Sequence, residues 1–348
     1  MFLTLILKLY SKRLIGDKMI TIVIPNYNGV KYLGQCLESI YLQDYIDYEI
    51  IVVDNHSTDN IEELIERYYE KKLIFIKLDK NYGFSRAVNE GIKQAKGKYV
   101  LLLNNDTELH QSFLSNIVVA MERDQKVFAV SSKMIQYRNR NLIDDAGDEY
   151  TVIGWAQKRG EGKTIDCFTK RQRVFSACAG AALYRKSIFE EIGYFDETFF
   201  AYLEDIDISY RANIFGYKNV YEPNAIVYHI GSATSGGGNS DFKLRLTGRN
   251  NVYLLYKNMP IIQLIINMPF LIIGHLVRIW ILKRIGYDRA YREGVKEGIK
   301  GLKDIKKTSF KRKNIFNYIK IEWELCKNTF IYLFWQKYII LNCNNKLD

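Results

Sequence analysis

The chain has 348 residues, 48% hydrophobic and 26% charged, so it can bury a core and is not a disordered chain. Four prolines, 23 glycines and five scattered cysteines without a Cys-x-x-Cys pair exclude a collagen-like or low-complexity protein and argue against a disulfide framework or a cysteine-rich zinc site. The formal charge of +11 asks for an acidic partner: nucleic acid, anionic lipid or a phosphorylated substrate.

Residues 1–18 are apolar with scattered Lys and Arg and no small-residue cleavage site. They read as a short anchor, or as sequence upstream of a start at Met19. A regular alternation follows. Ile20 to Pro25 is a buried strand, and Tyr32 to Leu42 a helix with Leu33, Cys36, Leu37 and Ile40 on one face. Glu49 to Val53 is a strand, Ile61 to Tyr69 a helix and Leu73 to Ile76 a strand. Ser85 to Ala95 is a helix, Tyr99 to Leu103 a strand and Gln111 to Met121 a helix. Strands alternating with helices predict parallel pairing and a sheet covered on both faces. Lys133 to Lys170 is polar and irregular, a substrate-side region. Order returns from Val174 to Thr234, and Gly236 to Gly238 read as a flexible hinge.

The chemistry gathers where strands stop. The first strand ends in Pro25-Asn26-Tyr27-Asn28-Gly29, the second in Asp54-Asn55-His56-Ser57-Thr58-Asp59, the fourth in Asn104-Asn105-Asp106. All three open on the same edge of a parallel sheet, where ligands of such folds bind. Each has a plainer reading: Thr58 or Asp59 caps the next helix, and Asp106 is a turn residue. Three polar ends on one edge favour the site.

These residues resemble glycosyltransferase family 2, with the type A nucleotide-sugar-binding fold. The matching pieces are Thr21–Gly29, Val52–Asp59, Asn81–Ile92, Leu101–Leu109 and Gly180–Thr234, in the family's order. The nearest branch is rhamnosyltransferase-like, making bacterial surface polysaccharides. The resemblance implies an α/β, Rossmann-like, mostly parallel domain over 19–250 and a helical, membrane-associating extension over 251–348. It implies that Asp54 accepts the N3–H of uracil or thymine, with Pro25, Asn26 and Tyr27 beside the base. Asn81, Gly83, Arg86, Asn89, Asn104 and Asn105 line the nucleotide. Asp106, the acidic member of a DXD-like Asn-Asn-Asp, and His229 hold Mg²⁺ or Mn²⁺. Asp205 is the general base and Glu204 an acceptor contact, against the plainer reading that both cap a helix from Ile206 to Phe215. Asp196 is structural, and Arg249-Asn250 leads into the tail.

In the tail, Ile261 to Leu282 is long enough to span a bilayer. Gln263, Asn267, Gly274 and Arg278 fall on one polar stripe, which suits a helix lying in the interface. Lys283 to Lys320 follows with thirteen Lys/Arg against four acids, a net +9 that attracts anionic headgroups. Phe316 to Leu341 is aromatic-rich, with Trp323, Trp335 and Tyr338.

The reading is an inverting enzyme on the cytoplasmic face of the cell membrane, held peripherally. It moves one sugar, rhamnose-like, from a dTDP- or UDP-sugar to a lipid-linked or growing surface glycan. No Gln-x-x-Arg-Trp motif of processive synthases occurs. The alternatives are a non-catalytic nucleotide-binding scaffold and a basic nucleic-acid- or lipid-binding protein, though no nucleic-acid module is recognisable.

Overall fold

A computed structural model of the chain describes residues 19–68, 73–231 and 239–335. The expected N-terminal anchor, the hinge at Gly236 to Gly238 and Tyr338 lie outside these residues.

Four apolar runs give the parallel half of the sheet: β1 (Ile20–Asn26), β2 (Tyr48–Asp54), β3 (Leu73–Lys77) and β4 (Tyr99–Leu103). β1 pairs in parallel with β2 and with β4, and β2 with β3. The register sets Asn26 opposite Asp54, so two of the polar strand ends lie side by side. Helices α1 (Val30–Tyr41), α2 (Ile61–Glu66) and α4 (Phe113–Glu122) cover one face. Helix α3 (Phe84–Gln94) and the later α5 (Lys186–Ile192) and α6 (Glu204–Ile214) cover the other. The doubly covered sheet is as predicted, because crossover helices bury one stripe each against it.

The sheet is mixed beyond β4. Its path is β10-β12-β6-β11-β4-β1-β2-β3, with short β5 (Thr107–Leu109) on β12 and β7 (Ile143–Asp145) on β6. β11 (Ala181–Arg185) enters antiparallel between β4 and β6 (Val127–Gln136), and β10 (Gln172–Val174) is antiparallel to β12 (Lys218–His229). The alternation rule missed this because no crossover helix precedes β10 or β11. The stretch expected to be irregular carries the end of β6, then β7, and a hairpin of β8 (Asp148–Tyr150) and β9 (Ala156–Lys158). Three-residue strands are too short to show a two-residue period.

The tail is helical and packs on the domain. It comprises α7 (Asp241–Asn258), α8 (Ile261–Arg284), α9 (Asp288–Gly301) and α10 (Ile315–Phe330). A third core joins Tyr150, Tyr210, Leu254, Leu271, Ile321 and Leu325 across five elements. The expected boundary at residue 250 falls inside α7, whose buried Asn250 and Asn251 both bond residues before it, the Phe199 carbonyl and the Tyr150 hydroxyl. The expectation of unpaired thiols holds for Cys36, Cys178 and Cys326 and fails for Cys167, which is disulfide-bonded.

Candidate active site

A cavity of about 1540 Å³ opens at the carboxyl ends of β1 and β4 and is closed on its far side by the β8–β9 hairpin, α6 and α7. Pro25, Asn26, Tyr27, Asn81, Gly83, Asn104, Asn105, Asp106, Glu204, Asp205 and His229 all line it. Asp54, Arg86 and Asn89 do not.

Asp54 is sealed beneath the lining. One carboxylate oxygen accepts from Asn26 Nδ2 (3.3 Å) and the other from the Ser57 amide (3.1 Å). Asn26 in turn accepts from Asn105 Nδ2 at 2.6 Å, joining the first, second and fourth strand ends. Asn55, which sequence reasoning passed over, ties the second strand end to the third: its Nδ2 donates to Asn81 Oδ1 (2.8 Å) and the Gly83 carbonyl (3.1 Å), and its Oδ1 accepts from the Tyr82 amide (2.9 Å). Gly83 has φ 84°, and a Cβ there would lie 2.4 Å from the Phe200 carbonyl, so only glycine admits this contact. Asp59 does not cap its own following helix. It accepts from the Val30 amide at 2.8 Å and caps α1.

Arg86 pairs with Glu90 (2.8 Å) and Glu197 (2.9 Å). Asn89 is buried and exchanges hydrogen bonds with the backbone of Phe195. Both residues fasten the loop before α6 to α3 rather than face the cavity. Asp196 caps the turn at Thr198 and pairs with Lys257.

β5 and β12 decide the second cluster. Their antiparallel register sets His229 opposite Thr107, next to Asp106. His229 Nε2 lies 3.3 Å from Asp106 Oδ1, and Nδ1 lies 2.7 Å from Asp144 Oδ2. Asp144 also pairs with Lys158 at 3.0 Å. Burial works against a charge on His229, but the two carboxylates outweigh it and raise its pKa to about 9. Burial likewise opposes ionisation of Asp144, yet His229 and Lys158 hold it down to about 2. The donor set fits a divalent ion: a carboxylate and an imidazole converge, and a second carboxylate orients the ring through its other nitrogen. Binding an ion would require His229 to release its Nε2 proton.

The acidic pair sits on the first turn of α6. Glu204 is buried with Oε2 unpartnered, and burial together with the charge of Asp205 pushes it to about 8. Asp205 is half-buried and accepts from the Ile206 amide at 2.8 Å; burial raises its pKa as well. The preceding loop is strained, with Phe200, Tyr202 and Leu203 at φ 63°, 71° and 69°. Asn250 holds it: its Nδ2 donates to the carbonyls of Phe199 (2.9 Å), Ala201 (2.8 Å) and Tyr202 (2.7 Å). Arg249 donates to the Phe199 carbonyl at 2.9 Å.

Sequence reasoning marked 133–170 as a substrate-side region but assigned no site residue within it. Asp144, Lys158, Asp145 and Asp148 all come from there, and the last two cluster with Cys178, the three ligand atoms lying within 4.8 Å of one another. Burial raises both carboxyls of that cluster, Asp145 to about 6, and the Asp145 carboxylate raises Asp148 further. The available signal was density: four acids in Asp144-Asp145-Ala146-Gly147-Asp148-Glu149.

Residues 21–193 match the family model described as Glycosyl transferase family 2. Poly-beta-1,6-N-acetyl-D-glucosamine synthase of Staphylococcus aureus (strain COL) is 29% identical over 223 residues, 63% of this chain and 51% of that protein. The protein of the same name from Staphylococcus epidermidis is 27% identical over the same shares. The chain therefore spans about half the length of the curated relatives it matches. Among solved structures, GalNAc-T7 with UDP, GalNAc and Mn²⁺ superposes with a TM-score of 0.57 at 18% identity, covering 68% of this chain and 47% of that one. The mannosyltransferase PcManGT from Pyrobaculum calidifontis, in complex with GDP-Man and Mn²⁺, gives 0.53 at 16% identity, covering 92% and 84%. These likenesses show the fold, a type A glycosyltransferase sheet. Residues 21–193 form a glycosyltransferase family 2 domain.

Proposed function

We propose that the protein is an inverting glycosyltransferase that moves one sugar from a dTDP- or UDP-sugar to a lipid-linked or growing surface glycan, with a divalent metal and at the cytoplasmic face of the membrane. One observation carries the reading: the Glu204-Asp205 turn and the three joined strand ends face one cavity. The strand-end amides hold the nucleotide. Asp205 takes the proton of the acceptor hydroxyl as that oxygen attacks the anomeric carbon, and the nucleoside diphosphate departs from the opposite side. Glu204, carrying its proton at neutral pH, donates a hydrogen bond to the acceptor. Asp106 and His229 would hold Mg²⁺ or Mn²⁺, which when bound supplies positive charge beside the leaving diphosphate.

A rhamnose-like sugar is favoured by the motif resemblance. The name of the staphylococcal relatives sets an N-acetylglucosamine donor beside it. Peripheral membrane seating is supported by α8, which is long and apolar enough to cross a membrane yet packs one stripe on the domain. Asn267, Leu271, Gly274 and Leu282 are buried, whereas Ile262, Ile266, Ile273 and Trp280 are exposed. A helix holding its polar stripe against protein and its apolar side outward is built to lie on a bilayer.

The test is a melting-temperature panel with UDP, dTDP, GDP and CDP, each with Mn²⁺ and with chelator. A metal-dependent rise with UDP or dTDP supports the donor site. No rise with any nucleotide, in folded protein supplied with lipid, shifts the reading to a non-catalytic scaffold.

A further inference from the structure

We propose that the wall of the cavity formed by Arg278, Lys243 and Trp155 is an anion subsite that takes the phosphate or diphosphate of a lipid-linked acceptor. This deepens the acceptor reading above and rests on it.

Arg278 lines the cavity from α8, and its guanidinium lies 5.5 Å over the ring of the buried Trp155. Among the described residues it forms no ion pair and no hydrogen bond. Three other cations of the lining are engaged. Lys158 pairs with Asp144, Arg173 with Glu324 at 3.3 Å, and Arg159 donates to the Ala146 carbonyl and Gln172. Lys243 reaches the same wall from α7. Burial lowers its pKa first, and the charges of Lys158 and Arg278 lower it further, against weaker support from Glu161 and Asp144. Cations gathered where water is partly excluded repel one another, and an arriving anion relieves that repulsion. A guanidinium stacked on an indole keeps its edge free for two parallel hydrogen bonds, the geometry that suits phosphate.

The position of the wall points to a lipid-linked anion. Val277, Trp280 and Ile281, around Arg278 on the same helix, are exposed. An anionic head in the cavity would thus leave its hydrocarbon tail on an apolar surface. Helix and wall are fastened together: Trp155 Nε1 donates to the Gly274 carbonyl at 3.1 Å, and a Cβ on Gly274 would lie 2.1 Å from the Ile153 carbonyl. The apolar face of α8 and the far wall of the cavity are therefore one unit.

The experiment titrates the full-length protein, with UDP and Mn²⁺ in excess over the donor site, with farnesyl diphosphate, farnesol, inorganic pyrophosphate and phosphatidylglycerol vesicles. Farnesyl diphosphate is expected to bind more tightly than farnesol or pyrophosphate. Arg278→Ala should weaken it by about tenfold or more, with Arg278→Lys recovering part of the loss. Lys243→Gln should weaken it too, and the UDP-induced melting shift should stay unchanged in all three variants. Equal binding of farnesyl diphosphate by Arg278→Ala and the parent overturns the proposal. So does equal binding of farnesol, which leaves only a greasy surface, or of pyrophosphate, which leaves only a free-phosphate site. Loss confined to the vesicles would mean that Arg278 reads headgroups, and would also overturn it. Failure of UDP to bind would count against the donor reading alone, since the farnesyl diphosphate titration of the variants still decides this one.

Discussion

Glu204 and Asp205 are adjacent in the chain and differ in what surrounds them. Glu204 is buried, with an unpartnered oxygen, and its pKa of about 8 keeps it protonated at neutral pH. Asp205 is the more exposed and is held by the amide of Ile206. The roles predict an order of damage. Asp205→Asn should lower kcat by about 10²–10⁴, the usual worth of a general base, while the UDP-induced melting shift is retained. Glu204→Gln, which copies a neutral carboxyl, should cost far less. The reverse order in steady-state kinetics would make Glu204 the base. At this scale the donor side was legible, because Asn26 ends one apolar strand and Asn105 and Asp106 stand just after another. Asp144 and Lys158 were not, since only the pairing of β7 with β6 and of β5 with β12 brings them to His229.

At the scale of elements, α7 matters most. It was read as the start of a tail, yet it clamps the loop before the acidic pair. Removing the Asn250 amide strands the carbonyls of Ala201 and Tyr202 and takes one donor from that of Phe199, in a loop with three residues at positive φ. Asn250→Ala should destabilise the fold by about 2–3 kcal/mol in urea unfolding, and should lower activity more than Asn258→Ala. A parent-like midpoint would mean that the loop holds itself. The C-terminal end of α7 also anchors α6. Asp207 is fully buried, and Arg211, Lys257 and Asn258 all bond its carboxylate. Burial alone would raise its pKa, but Arg211 and Lys257 bring it to about 2. Because the folded value lies below the ordinary one, the stabilisation is complete at neutral pH and fades as pH falls from about 5 toward 2. It amounts to about 2 kcal/mol. The melting-temperature gap between the parent and Asp207→Asn should therefore be large at pH 6 and narrow by pH 3. A gap independent of pH would rule out an ionic origin.

For the whole molecule, the proposal to test is the membrane seating. Deleting everything after Asn258 would be a poor test, because Leu271, Tyr318, Ile321 and Leu325 leave the third core with it. Each such side chain is worth about 1.5–3 kcal/mol when buried. Substituting the outward face of α8 is cleaner. The triple change Ile262→Asp, Ile266→Asp and Ile273→Asp touches only exposed positions. It should abolish sedimentation with anionic vesicles while leaving the UDP-induced melting shift in place. Retained sedimentation would place the anchor elsewhere, in the basic stretch from Lys283 to Lys320 or beyond the described residues. In the sequence the apolar run and the basic run sit next to each other and read as a separable tail. Their packing on α6, α7 and α10 involves partners 50 to 103 residues away.

The sequence by itself determined the parallel half of the sheet, the helices covering it and the polar strand ends that open on one edge. Those features are local: apolar runs, helical periodicity and the residues that stop them. It also carried the family motifs in order. Only the tertiary structure decided that Asp54, Arg86 and Asn89 support the lining rather than form it. Only the structure showed that Asp144 orients His229, that Asn250 holds the loop before the acidic pair, and that Arg278 faces the cavity with no ion pair among the described residues. Each of these depends on which distant strands and helices pair, and in what register. No short stretch of chain records that, because the energy that sets it is the burial of surfaces contributed from far apart in the sequence.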